Sequence, residues 1–206
     1  KLTTKTVGVE TISINTLNDL AEMLKLEQQQ LGDEVKYVNG SRTERLVTPV
    51  TKSTNASEVN IKDNGVYLIT GGSGGLGKLF AAQISNNKST KLILSGRSAV
   101  SRLSETELNA LNATYYSCDV IDKTSVETLI SNIIETYGKL DGIIHSAGVI
   151  ADSFLIKKTA EEATRVLQPK INGVKFLDQI TRDLKLDFTV YFSSMAAVTG
   201  NFGQSD

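Results

Sequence analysis

A glycine-rich segment with the sequence TGGSGGLG runs from Thr70 to Gly77, between an apolar run and a helical pattern. Glycines at such a point permit a tight turn, let the backbone approach a pyrophosphate, and aim the next helix N-terminus at the anion. A magnesium-binding P-loop is disfavoured because Lys78 is followed by Leu79, not by Ser or Thr. A purely structural turn is the remaining alternative. The segment predicts a dinucleotide-binding turn made of Gly71, Gly72, Ser73, Gly74, Gly75, Leu76 and Gly77.

The next apolar run ends in the sequence SGRS, residues Ser95, Gly96, Arg97 and Ser98. A site for NAD would place Asp or Glu near this point to bind the ribose 2′-hydroxyl. Arg97 can instead pair with a 2′-phosphate, with Ser95 or Ser98 adding a hydroxyl donor. The alternative is that Arg97 is a solvated surface charge. This segment predicts NADPH as the cofactor.

Three further apolar runs end in the short segments CDV, HSAG and SSMA. In a doubly wound sheet the carboxyl ends of the strands form the ligand crevice, so these segments should converge on the cofactor. Asp119 is placed to accept from an adenine amino group, and Ser194 to lie at the nicotinamide end. The candidate cofactor residues of these segments are Asp119, Val120, His145, Ser146, Ala147 and Gly148.

Cys118 and His145 could in principle form a nucleophilic pair across neighbouring strands. The rest of the sequence offers nothing that supports acyl-enzyme chemistry. Cys118 is better interpreted as a small buried side chain, and His145 as a hydrogen-bonded structural histidine.

Alternating strands and helices are predicted to position these segments. The strand candidates are VYLIT, KLILS, TYYSC, DGIIH and FTVYFS, each a compact apolar run typical of a parallel sheet buried on both faces. Helices are expected over residues 76–84, after a capping box at Ser104 and Glu107, along an apolar stripe over residues 126–137, and from Thr159 with a restart at Pro169. The alternation predicts an α/β fold: a doubly wound parallel sheet of the Rossmann type with right-handed crossovers.

The first fifty residues carry a smaller pattern of their own. VGVETISI predicts a strand, a helix follows from Thr16, and EVKYV and RTERLVTPV flank an Asn-Gly turn. We therefore expect a strand–helix–strand unit over residues 1–50, a polar linker over 51–65, and a nucleotide-binding unit over 66–206. Because the small unit cannot bury the helix's apolar face internally, we expect it to pack on the larger unit.

Composition excludes several classes of function. The 206 residues carry 22 Lys+Arg and 23 Asp+Glu, without the clustered basic charge that nucleic-acid binding needs. No stretch approaches the roughly 18 apolar residues of a membrane span. One Cys and one His cannot build a disulfide framework or a zinc cage, so we expect no metal and a cytoplasmic location. The opening KLTTKTVGVE has no initiator Met and no signal region, which suggests an internal cut from a longer polypeptide.

TGGSGGLG, SGR, CDV, HSAG, LQPKINGV and FSSMA occur in this order and spacing. Together they resemble the ketoreductase domain of a modular polyketide synthase, a member of the short-chain dehydrogenase/reductase superfamily, over essentially residues 65–206. The segments HSAGVIADSFLIKKT and LDFTVYFSSMAAVTGNFGQSD are most similar to those of ketoreductases in synthases that use trans-acting acyltransferases. Fatty acid synthase ketoreductases share the core motifs and are the alternative family. The opening segment resembles the end of the family's structural subdomain.

The resemblance implies NADPH-dependent reduction of a β-ketoacyl thioester carried by an acyl carrier protein, beside other domains of one megasynthase. It matches Lys170 and Ser194 to the active-site lysine and serine, and it also places Lys170 among the cofactor-binding residues. The alternative for Lys170 is an exposed helix lysine. In the family a catalytic tyrosine directly follows GQxD, whereas the sequence stops at Asp206. The catalytic unit is therefore expected to be truncated at its C-terminus. A non-reducing, cofactor-binding or scaffolding module is the alternative function.

The resemblance also concerns stereochemistry. The segment VIAD ends in Asp152, matching the last residue of the family's LDD motif, and the chain contains no Trp. Both features imply the class that gives D-configured 3-hydroxy products, with Asp152 and Met195 on the substrate side. The alternative is that Asp152 caps or turns the following SFLIKK segment.

Overall fold

The computed structural model of the chain describes residues 6–9, 17–30, 34–38, 41–46, 48–49, 61–87, 89–99 and 103–204. The chain divides into two units, Lys1–Ala56 and Ser57–Asp206. Each unit is described by itself.

The smaller unit is a three-stranded sheet with one helix. Strand β1 (Thr6–Val9) pairs in parallel with β2 (Glu34–Val38), which pairs antiparallel with β3 (Ser41–Glu44). Helix α1 (Leu17–Gln29) connects β1 and β2. The predicted strand–helix–strand order is confirmed. The rest of the predicted first strand, Thr16 and the Asn-Gly turn lie outside the described residues, and packing of this unit on the larger one stays a prediction.

Helix α1 buries a carboxylate. Glu27 is 2% exposed and accepts hydrogen bonds from Tyr37 Oη at 2.6 Å and from Arg42 Nε at 2.6 Å. Leu17 and Leu24 are exposed, although the sequence places both at helical spacing on the apolar face predicted for this helix. The helix is therefore tied to its sheet by a part-buried ion pair, which the apolar periodicity does not predict.

The larger unit is a five-stranded, all-parallel sheet in the order β6-β5-β4-β7-β8. Its strands are β4 (Val66–Thr70), β5 (Lys91–Gly96), β6 (Ala113–Ser117), β7 (Gly142–His145) and β8 (Phe188–Tyr191). The chain begins at the central strand, moves to one edge and then crosses to the other side. This is the predicted doubly wound topology.

Helices cover both faces of this sheet. They are α2 (Gly75–Ile84), α3 (Glu105–Ala110), α4 (Lys123–Tyr137), a short 3-10 helix (Leu155–Lys157), α5 (Ala160–Thr181) and α6 (Ala196–Thr199). Both predicted capping boxes are present, at the starts of α3 and α5, and α4 ends at Gly138 with φ of 75°. No helix in the described part of the chain is long and apolar enough to cross a membrane.

Alternate residues of the central strands enter two separate cores. Leu68, Ile93 and Ile143 pack on one face with α4 and α5. Tyr67 and Leu94 pack on the other face with α2. Because both faces are covered, β4 is buried along its whole length.

The predicted helix restart at Pro169 is wrong. Helix α5 continues through this proline from residue 160 to 181. A proline inside a helix removes one backbone hydrogen bond, but Val166 and Leu177 anchor α5 by burial on either side of it. Lys170 is consequently an interior residue of α5.

Candidate active site

The glycine-rich turn is packed against the end of β7. Gly71 has φ of +67°, and a Cβ atom there would lie 2.8 Å from the Ala147 Cα atom. A Cβ atom on Gly77 would lie 2.5 Å from the Gly71 carbonyl oxygen. These are backbone neighbours that cannot move aside, so both positions require glycine.

Helix α2 begins without a side-chain cap. Its N-cap residue is Gly74, which has no side chain to cap the helix. A Cβ atom on Gly75 would meet nothing within 4 Å. The first backbone N–H groups of α2 are therefore not capped by a side chain, and there is open space beside them. A helix N-terminus of this kind favours a phosphate group.

A cavity of about 190 Å³ lies at the carboxyl ends of four neighbouring strands, β4 to β7. The predicted cofactor residues that line it are Gly71, Ser73, Gly74, Gly96, Arg97, Ser98, Asp119, Val120, Ser146, Ala147 and Gly148. The buried residues Gly72, Gly77, Ser95 and His145 do not line it. The exposed residues Gly75, Leu76 and Lys170 do not line it either. The structure thus brings most of the predicted segments into one crevice.

The loop that carries Arg97 is held by its backbone. Tyr115 Oη donates to the Ser98 carbonyl at 2.9 Å, and Ser117 Oγ donates to the Arg97 carbonyl at 3.4 Å. The Arg97 side chain is exposed and forms no ion pair with a carboxylate among the described residues. Its guanidinium is available for an anion.

Asp119 lies where two cavities adjoin. Its backbone N–H donates to Ser125 Oγ at 3.1 Å, and one carboxylate oxygen accepts from the Ile121 N–H at 3.2 Å. A second cavity of about 350 Å³, formed with the first turns of α5, shares Arg97, Asp119 and Pro169 with the first. Arg165 of α5 also lines it. No local sequence signal marks Arg165, because it lies within an ordinary helical pattern, and only the fold shows that α5 begins beside the strand ends.

The Cys118–His145 nucleophile pair is not formed. Burial raises the pKa of the Cys118 thiol, which disfavours the thiolate. Both ring nitrogens of His145 have other partners: Nδ1 lies 2.7 Å from Thr70 Oγ1, and Nε2 lies 3.0 Å from the Pro169 carbonyl oxygen. His145 is the hydrogen-bonded structural histidine that the sequence favoured.

The two candidate catalytic side chains lie on different elements, and both are exposed. Ser194 lies between β8 and α6, and its Oγ accepts from the Ala196 N–H at 3.1 Å. That bond occupies a lone pair and leaves the hydroxyl hydrogen able to donate. Lys170 projects from the interior of α5. Met195, beside Ser194, is 72% exposed.

Asp152 connects two loops. It accepts a hydrogen bond from Gln204 Nε2 at 3.0 Å, and the Ser153 N–H donates to the Gly203 carbonyl at 2.9 Å. The N-cap of the following 3-10 helix is Phe154, without a side-chain cap. Asp152 therefore does not cap that helix, and its alternative role in turning the following segment stays a prediction.

Comparison with known proteins gives the family. Residues 65–206 match the model described as "KR domain". Polyketide synthase PksN of Bacillus subtilis (strain 168) is 43% identical over 188 residues, which cover 88% of this chain and 3% of that protein. Polyketide synthase PksL of the same organism is 39% identical over 213 residues, which cover 100% of this chain and 5% of that protein. The chain thus spans only a small part of the length of these relatives.

Solved structures agree with this assignment. A ketoreductase domain from the bacillaene assembly line has a TM-score of 0.78 and 36% identity, covering 99% of this chain and 49% of that one. An N-terminal ketoreductase from the macrolactin assembly line has a TM-score of 0.74 and 36% identity, and the match covers 97% of this chain and 41% of that one. The chain belongs to the KR domain family, the ketoreductase domains of polyketide synthases.

Proposed function

We propose that this chain binds NADPH and takes part in reducing a β-ketoacyl thioester carried by an acyl carrier protein, within a multidomain synthase. The observation that carries the proposal is the cavity of about 190 Å³ that joins the glycine-rich turn to Arg97. A dinucleotide needs an anion site at a helix N-terminus, and a 2′-phosphate needs a cation at the end of the next strand. Both are present along one crevice.

The residues present fit the cofactor part by part. The first N–H groups of α2 and the glycine-rich turn would hold the pyrophosphate. Arg97 would pair with the 2′-phosphate. Arg165 lines the adjoining cavity together with Arg97. Asp119 would accept a hydrogen bond from the adenine amino group. Ala147 and Gly148 are small enough for close backbone approach.

Ser194 and Lys170 would act on the substrate side. When bound, NADPH supplies the hydride that reduces the carbonyl carbon. Ser194 Oγ donates a hydrogen bond to the ketone oxygen, stabilising the negative charge that develops there. The family resemblance assigns the proton to a tyrosine directly after GQxD, and the positive charge of Lys170 lowers the pKa of that tyrosine toward neutrality.

Asp152 supports a D-configured 3-hydroxy product. The family resemblance links the last Asp of the LDD motif to one side of substrate entry. The hydrogen bond of Asp152 to Gln204 lies between the loop after β7 and the loop after α6. A carboxylate held there can bias the direction from which the thioester reaches Ser194.

The test is made on the protein that contains this chain. A β-ketoacyl thioester is added with NADPH, the loss of cofactor absorbance is followed, and the alcohol is resolved on a chiral column. We expect thioester-dependent NADPH oxidation and a predominantly D-configured product. NADPH binding without oxidation would instead indicate a non-reducing module, and an L-configured product would contradict the role given to Asp152.

A further inference from the structure

A buried polar bridge joins three elements at the carboxyl end of the sheet. Thr70 ends β4, His145 ends β7, and Pro169 lies within α5. Thr70 is 0% and His145 is 4% exposed. The two hydrogen bonds are those of the His145 ring, 2.7 Å to Thr70 Oγ1 and 3.0 Å to the Pro169 carbonyl oxygen. We call this set of contacts the Thr70–His145–Pro169 bridge.

The chemistry of the partners fixes the state of the His145 ring. A carbonyl oxygen can only accept, so Nε2 must carry a hydrogen and donate it to Pro169. Burial lowers the pKa of His145, outweighing the opposite effect of the Pro169 carbonyl, and the ring is neutral near pH 7. Nδ1 then has no hydrogen and accepts one from the Thr70 hydroxyl. Each polar atom of the bridge has a single role.

Helix α5 carries Pro169 and Gly173 where it packs against the His145 ring. Pro169 has no N–H, so the carbonyl of Arg165 one turn earlier loses its helical partner at this point. One turn later, a Cβ atom on Gly173 would lie 2.9 Å from His145 Cε1 and 3.0 Å from Nε2. Any larger residue would push the ring off the helix. The bridge therefore holds α5 where its own hydrogen bonding is interrupted.

The other end of the bridge holds the start of the glycine-rich turn. The Thr70 carbonyl accepts from the Ser146 N–H at 3.1 Å and from Ser146 Oγ at 2.7 Å. Thr70 directly precedes Gly71, and Pro169 directly precedes Lys170. One set of buried contacts thus spans from the cofactor turn to the helix turn that carries the lysine.

We propose that His145 is a positioning residue for Lys170: by donating to the Pro169 carbonyl, it fixes the place of the α5 turn that presents Lys170 relative to the glycine-rich turn. The inference rests on the proposed function, because the role of Lys170 does. His145 itself does not touch the reacting atoms. It acts through the backbone of α5.

Three substitutions in the protein that contains this chain separate positioning from packing. H145F keeps a ring but removes both hydrogen bonds, whereas H145Q keeps one donor and one acceptor. T70V removes the hydroxyl and keeps the shape of the side chain. T181V is the matched control, because Thr181 is also buried, and its hydroxyl bonds only within α5, to the Leu177 carbonyl at 2.7 Å.

We expect H145F to lower kcat for thioester reduction about 10-fold or more, because small displacements of a catalytic group have effects of this size. The KM for NADPH should change little, because the two hydrogen bonds from Ser146 to the Thr70 carbonyl still hold the start of the glycine-rich turn. H145Q should recover most of the loss, T70V should give an intermediate loss, and T181V should leave kcat unchanged. Equal kcat values for H145F and the unaltered protein, or equal losses in H145F and H145Q, would overturn the positioning role.

Nitrogen NMR of the imidazole tests the bridge without turnover. The His145 signals are identified as those absent from the spectrum of H145Q. We expect a neutral ring with hydrogen on Nε2 at neutral pH; hydrogen on Nδ1, or a charged ring, would contradict the bridge. If the unaltered protein reduces no thioester, the proposed function fails, and the positioning role fails with it. If it does reduce the thioester and H145F is equally fast, only the positioning role fails.

Discussion

The nucleotide end and the reactive end of the larger unit are built differently. At the nucleotide end, β4 and β7 are buried along their whole length, and Cβ atoms on Gly71 and Gly77 of the turn would meet backbone atoms. At the reactive end, β8 is largely exposed, as are Ser194 and Met195. Among the residues that the structure describes, the first region is fixed by buried packing, and the second by a few hydrogen bonds. Substitutions at Gly71 or Gly77 should therefore affect folding and binding together, whereas those at the exposed Ser194 should affect chemistry alone.

The largest effect is expected at Gly77. The methyl group of G77A would lie 2.5 Å from the Gly71 carbonyl oxygen, so we expect a loss of about 3 kcal/mol or more in the free energy of unfolding, the upper range for overpacking. NADPH binding should be lost with it. Denaturant unfolding and titration calorimetry measure the two effects.

Gly75 provides the matched control for this comparison. A Cβ atom there meets nothing within 4 Å, so G75A should leave the free energy of unfolding unchanged. It should still weaken NADPH binding, because the added methyl group occupies the space proposed for the pyrophosphate. Normal binding by G75A would place the pyrophosphate elsewhere.

The second prediction concerns Ser194 and its neighbour Ser193, both exposed. Because S194A removes a hydrogen-bond donor to the developing charge, kcat should fall about 10²- to 10³-fold. The melting temperature should not change, since the hydroxyl makes one exposed hydrogen bond. S193A is the control and should retain activity. A fall in melting temperature for S194A would show that the reactive end is part of the folding core.

The same difference explains what the sequence could predict. Strand ends at β4 and β5 follow from compact apolar runs, and the capping boxes of α3 and α5 follow from Ser/Thr and Glu at the right spacing. These signals are local. The continuity of α5 through Pro169 depends on contacts with β7, and the proximity of Arg165 to Arg97 depends on the crossover. Neither is encoded in neighbouring residues, so sequence patterns could not predict them.

The third prediction concerns Asp141, at the start of the central strands. Its Oδ2 accepts from the Val66 N–H at 2.8 Å and from Lys139 Nζ at 2.9 Å. Burial raises the pKa of Asp141, but these two bonds and the charge of Lys62 outweigh it, so that the pKa is lowered overall. D141A should reduce the free energy of unfolding by about 1–3 kcal/mol. E127A, which removes the exposed Lys123–Glu127 ion pair, should lower the free energy of unfolding by less than about 0.5 kcal/mol.

The pH dependence of this contribution has a definite sign. A carboxylate with a lowered folded-state pKa stabilises the protein above its ordinary pKa of about 4. The contribution is lost as the pH falls through the folded-state value. Unfolding titrations should therefore show that the deficit of D141A shrinks in acid. A deficit that is the same in acid as at neutral pH would contradict the role of the ionised carboxylate.

The smallest effect on stability is expected for the exposed hydrogen bond between Asp152 and Gln204. Q204A should change the free energy of unfolding by less than about 0.5 kcal/mol, as surface substitutions usually do. It should nevertheless lower the proportion of D-configured alcohol, because it releases the Asp152 carboxylate. An unchanged product ratio would separate Asp152 from stereocontrol through this contact.

The central claim is that Arg97 and the glycine-rich turn form one NADPH site, and titration calorimetry with NADPH and NADH tests it most directly. A charge-assisted pair worth about 1.5–3 kcal/mol predicts that NADPH binds roughly 10- to 100-fold more tightly than NADH. R97D should abolish that ratio or reverse it. Equal affinities of the unaltered protein for the two cofactors, or the same ratio in R97D, would contradict the assignment and make Arg97 a surface charge.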